Sequence, residues 1–310
     1  MRVALFGGTG FVGSYMVGEL LDDGHEPVLL VREGSEQKVH RENECRIVIG
    51  DISDAGSIQE TLSGSEAVIY LIGIVREFRR KGISYEAIHF EGAKRSMQAA
   101  QELGVRRFIL MSANGVKPDG TGYQSTKYMA DEFLRASTLD WTIFRPSVIF
   151  GEPRGRMELC SALRDQLIRL PLPAPLFFNG LIPRDAGKFE LSPIYIGDVA
   201  EIFVKTLGME ETYGKIYELG GPERFDWRTV LKTVAGAVGK NKWTLPAPAL
   251  GIKLAAALFE RFAFFPITRD QLTMLMEGNT CNSDDLFKSL NIEPKRFGLE
   301  ALSYLRPSND

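Results

Sequence analysis

Short apolar runs separated by helical stretches and glycine stops set the rhythm of the first half of the chain. Val3–Phe6, Val28–Val31, Arg46–Ile49, Ala67–Leu71, Phe108–Met111 and Trp141–Phe144 read as strands. They run apolar without alternation, which suits a parallel sheet covered on both faces. Between them lie helical patterns at about Ser14–Asp23, at Ser57–Leu62, from about Tyr85 to Leu103, and at about Ser125–Ser137. Gly24 and Gly104 stand where a helix ends in a left-handed residue. The alternation of strand and helix predicts a doubly wound α/β fold. In the second half Pro171-Leu172-Pro173-Ala174-Pro175 and Pro246-Ala247-Pro248 break the pattern. A helix near Ile196–Leu207 and a strand at Ile216–Leu219 are expected to return to the sheet. Residues 1–150 with about 192–220 then form the sheet domain. About 151–191 and 221–310 form a smaller, mostly helical C-terminal lobe that supplies the substrate or partner surface.

Composition narrows the class. The chain has 310 residues, 44% hydrophobic and 25% charged, enough for a large core and a length that suits about two domains. A net charge of -3 speaks against nucleic-acid binding by bulk electrostatics. Cys45, Cys160 and Cys281 are far apart and fit neither a zinc site nor a disulfide framework, so they read as core thiols in a reducing compartment. The first apolar run is too short for a secretory leader. The stretch Leu250–Pro266 is interrupted by Lys253, Glu260 and Arg261, and reads as a helix with a broad apolar face rather than a membrane span. The expected location is cytoplasmic, with a peripheral place at a membrane as the variant.

Candidate chemistry begins directly after the first run, at Gly7-Gly8-Thr9-Gly10-Phe11-Val12-Gly13. A strand, a glycine turn and a helix start in this order form a Rossmann dinucleotide cradle. Gly7 permits the sharp turn, Gly10 leaves room for a pyrophosphate, and Gly13 lets the helix pack close to the strand. Backbone N–H groups from Thr9 through Phe11 and Val12 face the phosphates at a helix N-terminus. The second strand ends in Leu30-Val31-Arg32, without the acid that would hold the two ribose hydroxyls of NAD. A guanidinium at Arg32 suits a 2′-phosphate, with Ser35 and Lys38 near, and Glu33 and Glu36 lowering the local potential. The expected cofactor is therefore NADP(H) rather than NAD(H). Asp51 is placed to receive the adenine amino group with Ile52 flanking the ring, although a turn acid before the next helix has the same spacing. Leu71 and Gly73 end the fourth strand beside the expected cofactor groove.

Tyr123 and Lys127 are four residues apart, on one face of a helix if they share a turn. A nearby ammonium is expected to lower the phenol pKa and ready it for proton transfer to a carbonyl or from an alcohol. Lys127 is also placed to bond the nicotinamide ribose. Ser112, ending the fifth strand, is a candidate for holding a substrate oxygen; bonding to local backbone is the plainer role.

These segments resemble the extended, atypical short-chain dehydrogenase/reductases. The glycine turn matches that family's GxxGxxG, and Tyr123 with Lys127 its YxxxK. Phe144-Arg145-Pro146-Ser147-Val148-Ile149-Phe150-Gly151 resembles its nicotinamide-lining segment, which implies Pro146 and Val148 as cofactor contacts. Pro193-Ile194-Tyr195-Ile196-Gly197-Asp198-Val199-Ala200 resembles the motif leading into the next helix. A narrower resemblance, to the NADPH-binding accessory subunits of respiratory complex I and their bacterial and plastid relatives, rests on Leu245-Pro246-Ala247-Pro248, on an apolar helix ending near Phe262, and on Pro266-Ile267-Thr268-Arg269-Asp270-Gln271. The sequence departs from the family at His89, where an asparagine is usual, and in the short gap from Ser112 to Tyr123. His89 reads as a packed helix histidine before a proton relay.

The resemblance implies an NADP(H)-dependent oxidoreductase acting on a hydrophobic carbonyl or alcohol, quinone- or isoprenoid-like. The alternatives are a non-catalytic NADPH-binding accessory or assembly factor of a membrane redox complex, and a sugar-nucleotide epimerase or dehydratase. Arg76, Arg79, Arg80 and Lys81 form a basic loop suited to an acidic ligand or an anionic surface, with a solvated loop as the default. Phe177-Phe178, Leu181-Ile182 and Leu250–Phe265 would line a greasy pocket or docking patch, or simply pack the small lobe.

Overall fold

The structure is a computed structural model, described here for residues 1–260 and 267–306. In chain order the first elements are β1 (Arg2–Phe6), α1 (Phe11–Asp22), β2 (Glu26–Val31), β3 (Arg46–Ile49), α2 (Ala55–Leu62), β4 (Ala67–Tyr70), α3 (Gly92–Glu102), β5 (Arg107–Met111), α4 (Gly122–Arg135) and β6 (Asp140–Pro146). There follow β7 (Ile149–Phe150), α5 (Leu159–Leu163), β8 (Ala174–Phe178), β9 (Glu190–Leu191) and β10 (Ile194–Tyr195). Then come α6 (Ile196–Lys205), β11 (Lys215–Leu219), β12 (Phe225–Asp226), α7 (Trp227–Ala237), β13 (Thr244–Pro248), α8 (Ala249–Phe259), α9 (Arg269–Glu277) and α10 (Asp284–Ser289).

The chain divides into two compact units, Met1–Pro146 with Ile196–Glu218, and Ser147–Tyr195 with Leu219–Asp310. The first is a doubly wound α/β unit. Its sheet has seven strands in the order β11-β6-β5-β4-β1-β2-β3. β3, β2, β1, β4, β5 and β6 pair in parallel, with Val3 opposite both Pro27 and Ala67. The order reverses on either side of β1, so the carboxyl ends of β1 and β4 open the crevice where such sheets take ligands. The central strands have no exposed face: Val3, Ala4, Leu5, Phe6 and Val68 are fully buried. Covered on both sides, they lose the alternation of a half-exposed strand.

Local chemistry sets the helix ends. Gly24 takes φ +75, and the chain reverses there as His25 N–H reaches Leu20 O at 2.8 Å. Asp54 caps α2 by accepting from Ser57 N–H at 2.9 Å. A reciprocal capping box between Thr121 and Gln124 starts α4 at Gly122, three residues ahead of the pattern-based Ser125. The stretch expected as one helix from Tyr85 is divided, with a π-helical turn Glu86–Glu91 running into α3. The returning segment is pinned by Arg107, 4% exposed at the start of β5. Its guanidinium donates to Leu207 O, Thr206 O, Asp140 O, and the Thr142 and Thr212 hydroxyls at 2.7–3.2 Å, and it lies 4.5 Å over the Tyr213 ring. Every donor of a buried charge is thus used, which makes its burial tolerable.

The second unit packs its own core around Phe150, Leu176, Trp227, Leu231 and Leu302. Of the proline-rich segments taken as breaks, Ala174-Pro175 opens β8 and Pro246-Ala247-Pro248 lies in β13; the two strands pair in parallel, Thr244 opposite Ala174 through Pro248 opposite Phe178. Pro246 and Pro248 are two apart, so their missing N–H groups fall on one edge, and a two-stranded pair has an edge to spare. Trp227 Nε1–H fixes β8 by donating to Pro175 O at 2.9 Å. Thr268 and Gln271 form the capping box of α9, which gives a local role to part of the Pro266–Gln271 segment. Phe262, Pro266 and the end of the Leu250–Pro266 stretch lie outside the described residues. Among the described residues no helix is long and apolar enough to cross a membrane.

Candidate functional site

The glycine turn joins β1 to α1 at the switch point of the sheet. Gly7 has φ +100, a conformation that strains any L side chain. Its carbonyl accepts from Gly10 N–H at 3.1 Å and closes the turn. A Cβ on Gly13 would fall inside contact distance of Gly7 O and 2.6 Å from Gly8 Cα, so only glycine allows this helix so close to this strand. Gly10 caps α1 and offers no side chain to the first-turn N–H groups. A Cβ on Gly10 would meet only Gly7 O, at 3.3 Å. Gly10 is exposed, and Thr9, Phe11 and Val12 are half-buried. The turn therefore presents backbone N–H groups at a helix N-terminus on an open side, a fit for a diphosphate.

The residues expected along the adenosine end spread over three strand ends. Arg32 follows β2, is exposed, and pairs with no carboxylate among the described residues; its carbonyl accepts from Ser35 N–H. Asp51 is exposed beyond β3, and its Oδ1 accepts from Ser53 N–H at 2.9 Å and Ser53 Oγ–H at 2.7 Å. That oxygen makes an Asx turn. Ile52 is 6% exposed and joins the core of the unit beside Gly92, where a Cβ would meet its Cγ1 at 2.9 Å. Leu71 is buried next to the turn: a Cβ on Gly7 would approach its carbonyl carbon to 3.2 Å. Gly73 lies against Lys127, whose Nζ would stand 3.5 Å from a Cβ there.

Tyr123 and Lys127 do share one face of α4. Lys127 is 5% exposed, its Nζ donates to Met111 O at 3.0 Å, and it lies 5.9 Å from the centre of the Tyr123 ring. Burial brings the ammonium pKa down to about 8, opposed by the charge of Asp131 one turn on. The effect expected on the phenol is reversed. Burial pushes Tyr123 up to about 12, so it stays protonated across the neutral range. The Tyr123 ring stands edge-on to His89 at 5.0 Å and to Tyr85 at 5.9 Å.

His89 is 2% exposed. Its Nε2 accepts from Ile74 N–H at 3.0 Å, so its proton sits on Nδ1, which donates to Thr126 Oγ1 at 3.1 Å. The Thr126 hydroxyl in turn donates to Gly122 O at 2.8 Å. Burial, then the Lys127 charge, push the imidazole pKa down to about 2. A ring that stays neutral, with both nitrogens engaged, is a brace between the loop after β4 and α4.

Ser112 is 3% exposed, and its hydroxyl makes no well-formed hydrogen bond. Its polar influence falls on the Asp131 carboxyl, which it helps hold down against burial. Its N–H donates to Phe144 O at 2.8 Å and extends the β5–β6 ladder. Sequence reasoning missed Asp131 and Arg145. Asp131 is fully buried and takes the Arg145 guanidinium at 3.0 Å from Nε and 2.9 Å from a terminal nitrogen. The signal was there: Tyr123, Lys127 and Asp131 recur at four-residue steps along one helix face. Pro146 is buried at the end of β6, and Val148 belongs to the second unit, half-buried against its core. In the basic loop Glu77 organises the chain, pairing with Arg79 at 2.9 Å and accepting from Tyr85 N–H at 2.9 Å.

Comparison with known proteins finds the model of the NAD(P)H-binding family matching residues 7–166. The chain is 24% identical over 311 residues to the mitochondrial NADH-ubiquinone oxidoreductase 40 kDa subunit of Neurospora crassa, covering 97% of this chain and 78% of that one. It is 25% identical over 263 residues to a ceramide reductase of Caulobacter vibrioides, covering 84% and 78%. Among solved structures, the UDP-glucose 4-epimerase of Thermus thermophilus in complex with NAD superposes with a TM-score of 0.73 at 20% identity, over 98% of this chain and 97% of that one. At that identity the likeness is one of fold.

Proposed function

The chain belongs to the NAD(P)H-binding family, and from that premise we propose that it is an NADP(H)-dependent oxidoreductase acting on a hydrophobic carbonyl or alcohol. The observation that carries this reading is the pairing of a glycine cradle at β1 with Tyr123 and Lys127 on α4, the lysine lying against Gly73 at the end of β4. When bound, the dinucleotide supplies or accepts the hydride. Gly7 through Gly13 bind its diphosphate, with N–H groups from Thr9, Phe11 and Val12. Asp51 and Ile52 take the adenine, Leu71 and Gly73 the ribose side, and Pro146 the nicotinamide. Arg32, which pairs with no carboxylate among the described residues, takes the 2′-phosphate and selects NADP(H) over NAD(H).

Lys127 bonds the nicotinamide ribose as an ammonium donor. Tyr123 is a neutral phenol, so it gives its proton to a substrate carbonyl oxygen as the carbon takes hydride. A ceramide reductase among the relatives supports a substrate with a long apolar part. With Ser112 buried, substrate orientation rests on Tyr123 rather than on a serine–tyrosine pair.

The test measures NADPH oxidation with a panel of long-chain ketones and short-tailed quinones, alongside NADPH and NADH binding. Tyr123→Phe is expected to abolish turnover and leave NADPH binding intact, and Arg32→Ala to erase the preference for NADPH. Unchanged turnover in the phenylalanine variant would sink the catalytic assignment.

A second reading is favoured by Ser112 and His89. The serine is buried and the histidine is a neutral brace, which supports a packing role for two positions that resemble catalytic ones. In that reading the protein holds NADPH as a peripheral accessory or assembly factor of a membrane redox complex, in line with the respiratory subunit among its relatives. Stoichiometric recovery with a membrane complex in a native pull-down, with no turnover by the pure protein, would favour it.

A further inference from the structure

Helix α8 in the second unit is built inside out. Leu250, Leu254 and Leu258 recur at four-residue steps and are 71, 62 and 65% exposed. Ala249 and Ala256 are buried instead, and Ile252 packs against the core of the unit. A helix of a free-standing protein turns its large apolar side chains inward; this one turns its alanines inward. Just ahead of it, Trp243 is 82% exposed and Leu245 in β13 is 59% exposed. Exposed apolar surface of this kind marks a docking face.

The charge around it identifies the occupant. From Trp227 to Phe259 the basic residues are Arg228, Lys232, Lys240, Lys242 and Lys253, with no aspartate or glutamate, in a chain whose net charge is -3; the next acid, Glu260, is paired with Arg269 at 2.6 Å, and Asp270 and Glu277 lie on α9, which packs against α8. Lys242 Nζ donates to Leu170 O at 2.6 Å, which fixes its charge in the segment that leads into β13. We propose that the Leu250–Leu254–Leu258 face of α8, with Trp243, docks on the surface of an anionic phospholipid bilayer. Leucines enter the acyl boundary, the indole sits at headgroup level, and the lysines meet lipid phosphates. The same charge argues against a second copy on this face, since a symmetric contact would bring two acid-free segments together. The mode is in-plane, in keeping with the absence, among the described residues, of a helix able to span. This inference does not depend on the reaction assigned to the first unit.

The experiment is cosedimentation of the full chain with phosphatidylcholine vesicles, with and without phosphatidylglycerol. The wild type is expected to pellet with the anionic vesicles, less with the neutral ones, and less as salt rises. Leu250→Gln, Leu254→Gln and Leu258→Gln combined are expected to weaken partition by about tenfold or more, as loss of apolar insertion requires. Thermal stability and NADPH affinity are expected to hold, because these side chains are more than half exposed. Equal pelleting of wild type and variant overturns the proposal. So does absence of vesicle binding, or a vesicle-free dimer that the same substitutions dissolve.

Discussion

Lys127 carries its charge where burial resists it, and that makes it the most sensitive single group in the site. Its pKa is brought down to about 8 from 10.5, with the Asp131 carboxylate limiting the fall. The unfolded chain keeps a proton that the folded lysine sheds between these values. Stability therefore rises with pH across about 8 to 10.5, while the unfavourable charge is present below that window. In the proposed cofactor role the dependence runs the other way, because only the ammonium donates to a ribose. NADPH affinity is expected to fall as pH rises through about 8, and fluorescence titration across that range checks it. Asp131→Asn removes the opposing charge, so the midpoint of the fall moves to lower pH. It also strands the Arg145 guanidinium, and breaking a buried pair costs about 3–5 kcal/mol, readable by urea denaturation. A pH-independent affinity in the wild type would remove Lys127 from the cofactor site.

At the scale of elements, helix α4 is held by a brace. The π-helical turn Glu86–Glu91 carries His89 between Ile74, in the loop after β4, and Thr126 on α4. The histidine titrates near 6.5 when unfolded and near 2 in this setting, so acid is taken up by the unfolded chain first. Stability is expected to drop as pH falls from about 6.5, by up to about 1.4 kcal/mol per pH unit. His89→Gln should flatten this slope in denaturant melts compared at neutral and mildly acidic pH; an unchanged slope places the acid sensitivity elsewhere. These elements differed in how legible they were from sequence. The glycine turn was readable because Gly7 needs a left-handed backbone and Gly13 has no space for a Cβ, demands only one residue type meets. The buried parallel strands were readable as unbroken apolar runs. The π turn leaves no residue-type signal, since only its hydrogen-bond spacing changes. β8 and β13 were hidden by prolines that are harmless on a free edge. The burial of Asp131 and Arg107 depends on partners brought from other strands and helices.

For the whole molecule, the cofactor prediction becomes one about where stability is added. The two units have separate cores, one around Phe6, Tyr70, Phe108 and Ile143, the other around Phe150, Trp227 and Leu302. The proposed phosphate and ribose contacts, from Gly7 to Lys127, belong to the first unit, as does the 196–218 return that Arg107 pins. A ligand stabilises what it binds by RT ln(1 + [L]/Kd), or about 2.7 kcal/mol at one hundred times Kd. Hydrogen exchange with NADPH at that excess is expected to slow the amides of residues 7–13 and 71–74 most. The paired strands β8 and β13 of the second unit, at 174–178 and 244–248, are expected to change least. Because the first-turn N–H groups of α1 have no capping side chain, their exchange reports phosphate contact directly. Unchanged exchange at residues 7–13, with NADPH bound by another measure, would move the cofactor off the glycine turn altogether.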